Sequence, residues 1–126
     1  MENKGGLIYP DLSYKITGIL FEVHNEIGRY GREVQYSNFL EKLLKERGLV
    51  YKRELVIGDS GNRVDFLVDD LILIEVKAKQ RINREDYNQT QRYLQVLNLK
   101  LGLLVNFRDH YLKSKRIIKI DNWTKH

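Results

Sequence analysis

The sequence predicts an α/β fold, a mixed β-sheet flanked by helices, and three observations carry that prediction. Apolar residues recur at helical spacing twice near the start, at Ile16, Ile19, Leu20, Val23 and Ile27 and again at Val34, Phe39, Leu40, Leu43 and Leu44. Three short segments rich in β-branched residues follow between positions 51 and 77, separated by turn signals. Beyond a third helical pattern, residues 99–107 run almost continuously in Leu and Val, as a strand covered on both faces does. With 126 residues, of which 42% are hydrophobic, the chain supports one domain with its own core, spanning 1–126.

In order, a polar leader over residues 1–10 gives way at Pro10-Asp11 to a helix start, with Asp11 as the N-cap and Gly28 as the stop. His24 within it reads as an ordinary hydrogen-bonded or exposed histidine rather than a ligand. Gly28-Arg29-Tyr30-Gly31 is a tight break, and a second helix runs from Glu33 to about Arg47, ended by Gly48. Residues 51–57 form the first strand, and Gly58-Asp59-Ser60-Gly61-Asn62 turns the chain into a hairpin over 63–77. Asn83 caps a third helix reaching about Leu97, with Glu85 and Asp86 in its first turn. After the strand at 99–107, a loop at Arg108-Asp109-His110-Tyr111 leads to a last strand at 115–120 and a tail, 121–126, expected to fray like the leader. Lys113, Lys115, Arg116 and Lys119 gather there. Such a cluster serves either as a solvated edge that resists strand addition or as a contact for a nucleic-acid backbone.

Within the hairpin, Asp65, Glu75 and Lys77 stand where a buried hairpin has no charge. Side chains two apart in a strand share a face, so Glu75 and Lys77 do. A three-residue connection, Asp69-Asp70-Leu71, puts Asp65 directly opposite Glu75 and pairs Val64, Phe66 and Val68 with Val76, Ile74 and Ile72 on an apolar face. A two-residue turn would set Asp65 against Ile74 and mix the faces, so the hydrophobic pattern favours the register that gathers the charges.

Two carboxylates on neighbouring strands form a hard-oxygen site suited to Mg²⁺ or Mn²⁺, and a lysine beside them can hold a water or a phosphate oxygen. That is a constellation for phosphodiester hydrolysis. The same three residues also fit a surface hairpin with a Glu-Lys pair and an Asp near the turn.

At Asp65 and Glu75-Val76-Lys77 the sequence resembles the PD-(D/E)XK nuclease superfamily, although Val64 stands where the name-giving proline would be. Val23-His24-Asn25-Glu26-Ile27-Gly28 followed by Glu33-x-x-Tyr36 resembles the N-terminal motif of the GxxExxY family within that superfamily, over residues 12 to 120. It departs at Tyr30, where that family has glycine; here the glycine is Gly31. The resemblance implies a restriction-endonuclease-like core, Asp65 and Glu75 as metal ligands with the Val76 main-chain carbonyl between them, Lys77 acting on water and phosphate, and Glu33 as a third acidic member. Read without it, Glu33 is a first-turn glutamate favouring the helix dipole. Gln89 and Tyr93, four apart on one helix face, resemble the extra motif of RecB-type nucleases that borders the active site and its DNA. Alternatively the helix is simply amphipathic, with Tyr87, Tyr93, Leu94 and Leu97 as packing residues.

The absence of cysteine excludes disulfides and thiolate metal sites, and fits a cytoplasmic protein. No apolar run is long enough for a membrane helix, and no signal peptide is visible. A formal net charge of +5 suits a polyanionic partner. The sequence has no phosphate-binding glycine loop, no His-Glu-x-x-His and no Gly-x-Ser-x-Gly. The expectation is a Mg²⁺-dependent (or Mn²⁺-dependent) nuclease acting on DNA. The alternative is a non-catalytic nucleic-acid-binding or protein-interaction module, including a homodimer, that keeps the nuclease fold.

Overall fold

The computed structural model describes residues 7–124. Eight elements follow one another: α1 (Pro10–Ile27), α2 (Glu33–Glu46), β1 (Tyr51–Ile57), β2 (Asn62–Val68), β3 (Ile72–Lys77), α3 (Arg84–Leu97), β4 (Leu101–Asn106) and β5 (Ser114–Ile118). Of the leader and tail expected to fray, residues 1–6 and 125–126 lie outside the described residues.

The first helix starts two residues earlier than the sequence suggests, with its N-cap at Tyr9 rather than Asp11. Pro10 takes the first helical position, where its missing N–H is no loss, and Tyr9 in a left-handed conformation precedes it (φ 51°). Asp11 therefore sits in the first turn, where its charge meets the helix dipole, and is not the N-cap. At the other end of α2, Gly48 (φ 70°) donates to Lys45 O and Leu49 to Leu44 O, a glycine-terminated stop that needs the left-handed backbone. The inward set of α2 differs at one position. Val34 is half exposed, and the fully buried residue is Tyr36, stacked on Phe107 with ring centroids 4.3 Å apart. The Tyr36 hydroxyl donates to Gly28 O and accepts from Gly31 N, so one side chain ties the turn between α1 and α2 to the core.

The five strands form one sheet in the order β1-β2-β3-β4-β5, antiparallel except for the parallel pair β3–β4 that α3 connects. α1 and α2 cover one face, packing Ile16, Leu20, Tyr36 and Leu40 against Phe66, Ile74 and Leu103. α3 covers the other, with Tyr93 and Leu94 against Leu73 and Val64. Burial on both faces explains why every residue of β4 is buried. At Gly102 an added Cβ would lie 3.0 Å from Leu73 and 3.1 Å from Thr90 of α3, so glycine is what lets that helix sit down on the sheet. Asn83 caps α3 as expected: its Oδ1 accepts from Asp86 N and the Asp86 carboxylate accepts from Asn83 N.

β2 and β3 pair in the anticipated register, Phe66 with Ile74, Leu67 with Leu73 and Val68 with Ile72, around the Asp69-Asp70-Leu71 turn. Asp69 and Asp70 both carry positive φ, near 55°. The pairing stops there. Val64 does not continue the apolar face opposite Val76 but joins Leu55 and Ile57 in the cluster under α3. Glu54 in β1 adopts a left-handed backbone (φ 53°), and across that residue and Asp65 both β1 and β2 change the face they bury. β4 starts later than the sequence suggests, because Leu99 N–H closes the C-terminus of α3 on Leu94 O, and β5 spans Ser114–Ile118 rather than 115–120. The basic cluster on β5 also loses a member: Arg116 turns inward, donating to Ser13 Oγ and Ile8 O of the N-terminal region.

Candidate active site

The three charged residues of the hairpin meet where β2 leaves β3. Past Phe66 and Ile74 the backbone ladder is replaced by side chains: Asp65 N donates to Glu75 Oε2 at 3.0 Å, and Val76 N to Asp65 Oδ2 at 2.7 Å. Each carboxylate thus takes an N–H that a continuing strand would have paired. N–H and C=O of one strand residue point the same way, so the Val76 carbonyl opens to the same gap between the strands. Val64 packs in the cluster under α3 instead of opposite Val76.

Burial dominates the electrostatics. Glu75 is only 3% exposed. Its carboxyl is pushed up to about 8, first by burial and then by the charge of Asp65, while the Asp65 N–H and Lys77 pull the other way. Asp65 is also raised, again by burial first, against the Val76 N–H and Lys77 that favour its charged form. The pair therefore retains a proton at neutral pH in the absence of a cation. Glu33, at the first position of α2, is exposed, and its charge raises both carboxyls, which puts it within electrostatic range of the pair. Among the described residues no three His, Cys, Asp or Glu side chains converge closely enough to hold an ion by themselves.

On α3, Gln89 Oε1 accepts from Lys77 Nζ at 3.0 Å, so the helix reaches the lysine of the strand. Tyr93, one turn further on, is 3% exposed, and its hydroxyl is raised by burial and then by the charge of Glu75. Both residues expected on this helix face stand at the site. The structure adds one that sequence reasoning treated only as part of a cap. Asp86 accepts from Lys79 Nζ at 2.7 Å and lies 3.9 Å from Lys77 Nζ. Burial pushes its carboxyl up, but hydrogen bonds from Lys79 and Asn83 N–H outweigh that and hold it below the usual range. A second addition is Asn106, buried, whose side chain accepts from Lys79 N and donates to Lys79 O, fixing the segment just after Lys77. The signal for Asp86 was its position in the first turn of the helix after Glu-x-Lys-x-Lys.

The donors fit a hard divalent cation. Glu75, buried beside Asp65, retains a proton that a cation can replace, the oxygens are the ligand type Mg²⁺ and Mn²⁺ prefer, and a strand carbonyl opens towards the same gap. A broad hollow of about 870 Å³ lies elsewhere, on the outer face of α1 between Leu7, Tyr14, Gly18 and Phe21, and includes none of these residues. No helix among the described residues is long and apolar enough to cross a membrane.

The sequence model described as PD-(D/E)XK nuclease superfamily matches residues 10–119, from the first residue of α1 to just beyond β5. No curated protein and no solved structure matches.

Proposed function

The chain belongs to the PD-(D/E)XK nuclease superfamily, and from that premise we propose that it is a Mg²⁺- or Mn²⁺-dependent nuclease that hydrolyses phosphodiester bonds in DNA. Its five-stranded mixed sheet flanked by helices is restriction-endonuclease-like. The observation that carries the reading is the break in the β2–β3 ladder, which brings Asp65 and Glu75 together, buried, with Lys77 on the same face. The motif at Glu33-x-x-Tyr36 supports placement in the GxxExxY branch, and the absence of cysteine supports work in the cytoplasm.

Asp65, Glu75 and the Val76 carbonyl would hold the ion, and Glu33, at the start of α2 and felt electrostatically by both carboxyls, would add negative charge beside it. When bound, the ion supplies a water of lowered pKa and neutralises charge on the phosphate. The Lys77 ammonium, steadied by Gln89 and the Asp86 carboxylate, orients the attacking water and binds a non-bridging phosphate oxygen. Water adds its oxygen to phosphorus, and the bond to the leaving sugar oxygen breaks. Tyr93 keeps its proton at neutral pH, and so it serves as a hydrogen-bond donor at the site rather than as a base. Lys79 is neutralised by Asp86 and contributes position rather than free charge.

The test is cleavage of labelled DNA and RNA, single- and double-stranded, with Mg²⁺ or Mn²⁺, by wild type and Asp65→Asn. Metal-dependent cutting of DNA that the variant abolishes supports the proposal. Wild type that cuts no substrate with either ion refutes it and leaves the non-catalytic binding module, for which light scattering would report a homodimer.

A further inference from the structure

Tyr30, on the turn between α1 and α2, is 76% exposed. It has no part in making that turn. Gly28 supplies the positive φ (82°), and Gly31 supplies the close approach, since an added Cβ there would lie 2.8 Å from Ile27. Two guanidinium groups lean on the Tyr30 ring, with the Cζ of Arg29 5.1 Å and that of Arg108 5.6 Å from its centroid. Each arginine is locked by the other's backbone: Arg29 Nε donates to Arg108 O at 3.0 Å and Arg108 Nε to Arg29 O at 2.9 Å. Neither forms an ion pair with a carboxylate among the described residues, and so both charges stay open to an anion.

This cluster sits at the catalytic end of the sheet. Arg108 reaches Ala78 O, and Phe107 N donates to Lys77 O at 2.8 Å, on the residue that bears the catalytic ammonium. Glu33, which acts electrostatically on Asp65 and Glu75, follows Tyr30 by three residues, a span of at most about 11 Å.

We propose that Tyr30, Arg29 and Arg108 form a subsite for an unpaired nucleotide flanking the scissile phosphate, so that the substrate is a single strand or carries a single-stranded flank. The base stacks on the Tyr30 ring, and the guanidinium N–H groups not engaged with backbone hold the adjoining phosphate. Within a duplex each base is already stacked on its neighbours and gains nothing from the ring. The inference rests on the nuclease reading for its orientation, but its test does not require hydrolysis.

The experiment is fluorescence anisotropy in EDTA with a fluorescein-labelled oligothymidylate of about 12 nucleotides, matched to the site sizes such grooves cover, and with a blunt duplex. Tyr30→Ala weakens binding of the single strand about tenfold, the worth of one stacked base. Tyr30→Phe, which keeps the ring, binds as wild type does, and duplex affinity stays the same in all three. Because the side chain is exposed, both variants melt like wild type. Equal single-strand affinity in Tyr30→Ala overturns the proposal, as does parallel loss on duplex, or an equal loss in Tyr30→Phe. Failure here together with metal-dependent cutting that Asp65→Ala abolishes removes the subsite and leaves the hydrolytic site standing. Binding that depends on the Tyr30 ring, in a protein that cuts nothing, supports the subsite and removes the nuclease reading.

Discussion

Replacing Glu75 by glutamine should make the metal-free protein more stable, and the gain should depend on pH in a way its surroundings dictate. The folded carboxyl sits near 8 against an ordinary value of 4.5, because it is buried beside Asp65. A group whose folded value is raised contributes stability that is fully present below the unfolded value and lost as pH rises. Here the loss begins near pH 4.5, where the unfolded chain releases the proton and the folded chain keeps it. At about 1.4 kcal/mol per pH unit it amounts to roughly 3 kcal/mol by pH 7, and it levels off past pH 8. Glutamine never ionises, and its carbonyl can still accept from Asp65 N, so Glu75→Gln escapes this loss. Urea denaturation of both proteins in EDTA at intervals from pH 4 to 9 is the assay. The expected result is near-equal stability at pH 4 and an advantage for the variant that grows to a few kcal/mol by pH 8. A difference that does not change with pH, or a variant less stable at pH 7, refutes the reasoning.

Two further expectations follow from the same geometry. Since the pair retains a proton at pH 7, uptake of Mg²⁺ should release about one proton per ion, seen as a dependence of the calorimetric heat on the ionisation enthalpy of the buffer; the release should vanish at about pH 9, once the raised carboxyl of Glu75 has already ionised. Gln89→Ala should lower kcat on DNA by about tenfold to a hundredfold with Mg²⁺ affinity unchanged, because it frees the ammonium of Lys77 without touching a carboxylate; an equal loss in Lys77→Ala and the double variant would show that the two act as one unit.

Much of this site was legible because β periodicity is rigid. A one-residue slip would mix the faces, and with the Asp69-Asp70-Leu71 turn pairing Phe66 with Ile74, Asp65 falls beside Glu75. Gln89 and Tyr93 were legible for the matching reason in a helix, a four-residue spacing on one face. What escaped depends on partners far along the chain. Val64 leaves its expected face at the level where Glu54 of the neighbouring β1 takes a left-handed backbone, which no local pattern around Val64 announces. Asp86 satisfied a complete local role as a cap partner, and only the fold brings Lys77 and Lys79 to it. Arg116 lies in a run of basic residues that looks solvated, yet its acceptors are Ser13 and Ile8, about a hundred residues earlier. The N-terminus of α1 was misplaced by two residues because Asp is a stronger capping signal than Tyr, whereas Pro10 had already set the helical φ.

Whether Asp65 and Glu75 are held together to bind a divalent cation is decided by calorimetric titration of Mg²⁺ into wild type and Asp65→Ala. Wild type should bind one ion and the variant none measurably, with both proteins folded. Binding of equal strength in the two, or none in wild type, contradicts the metal-binding role of the pair.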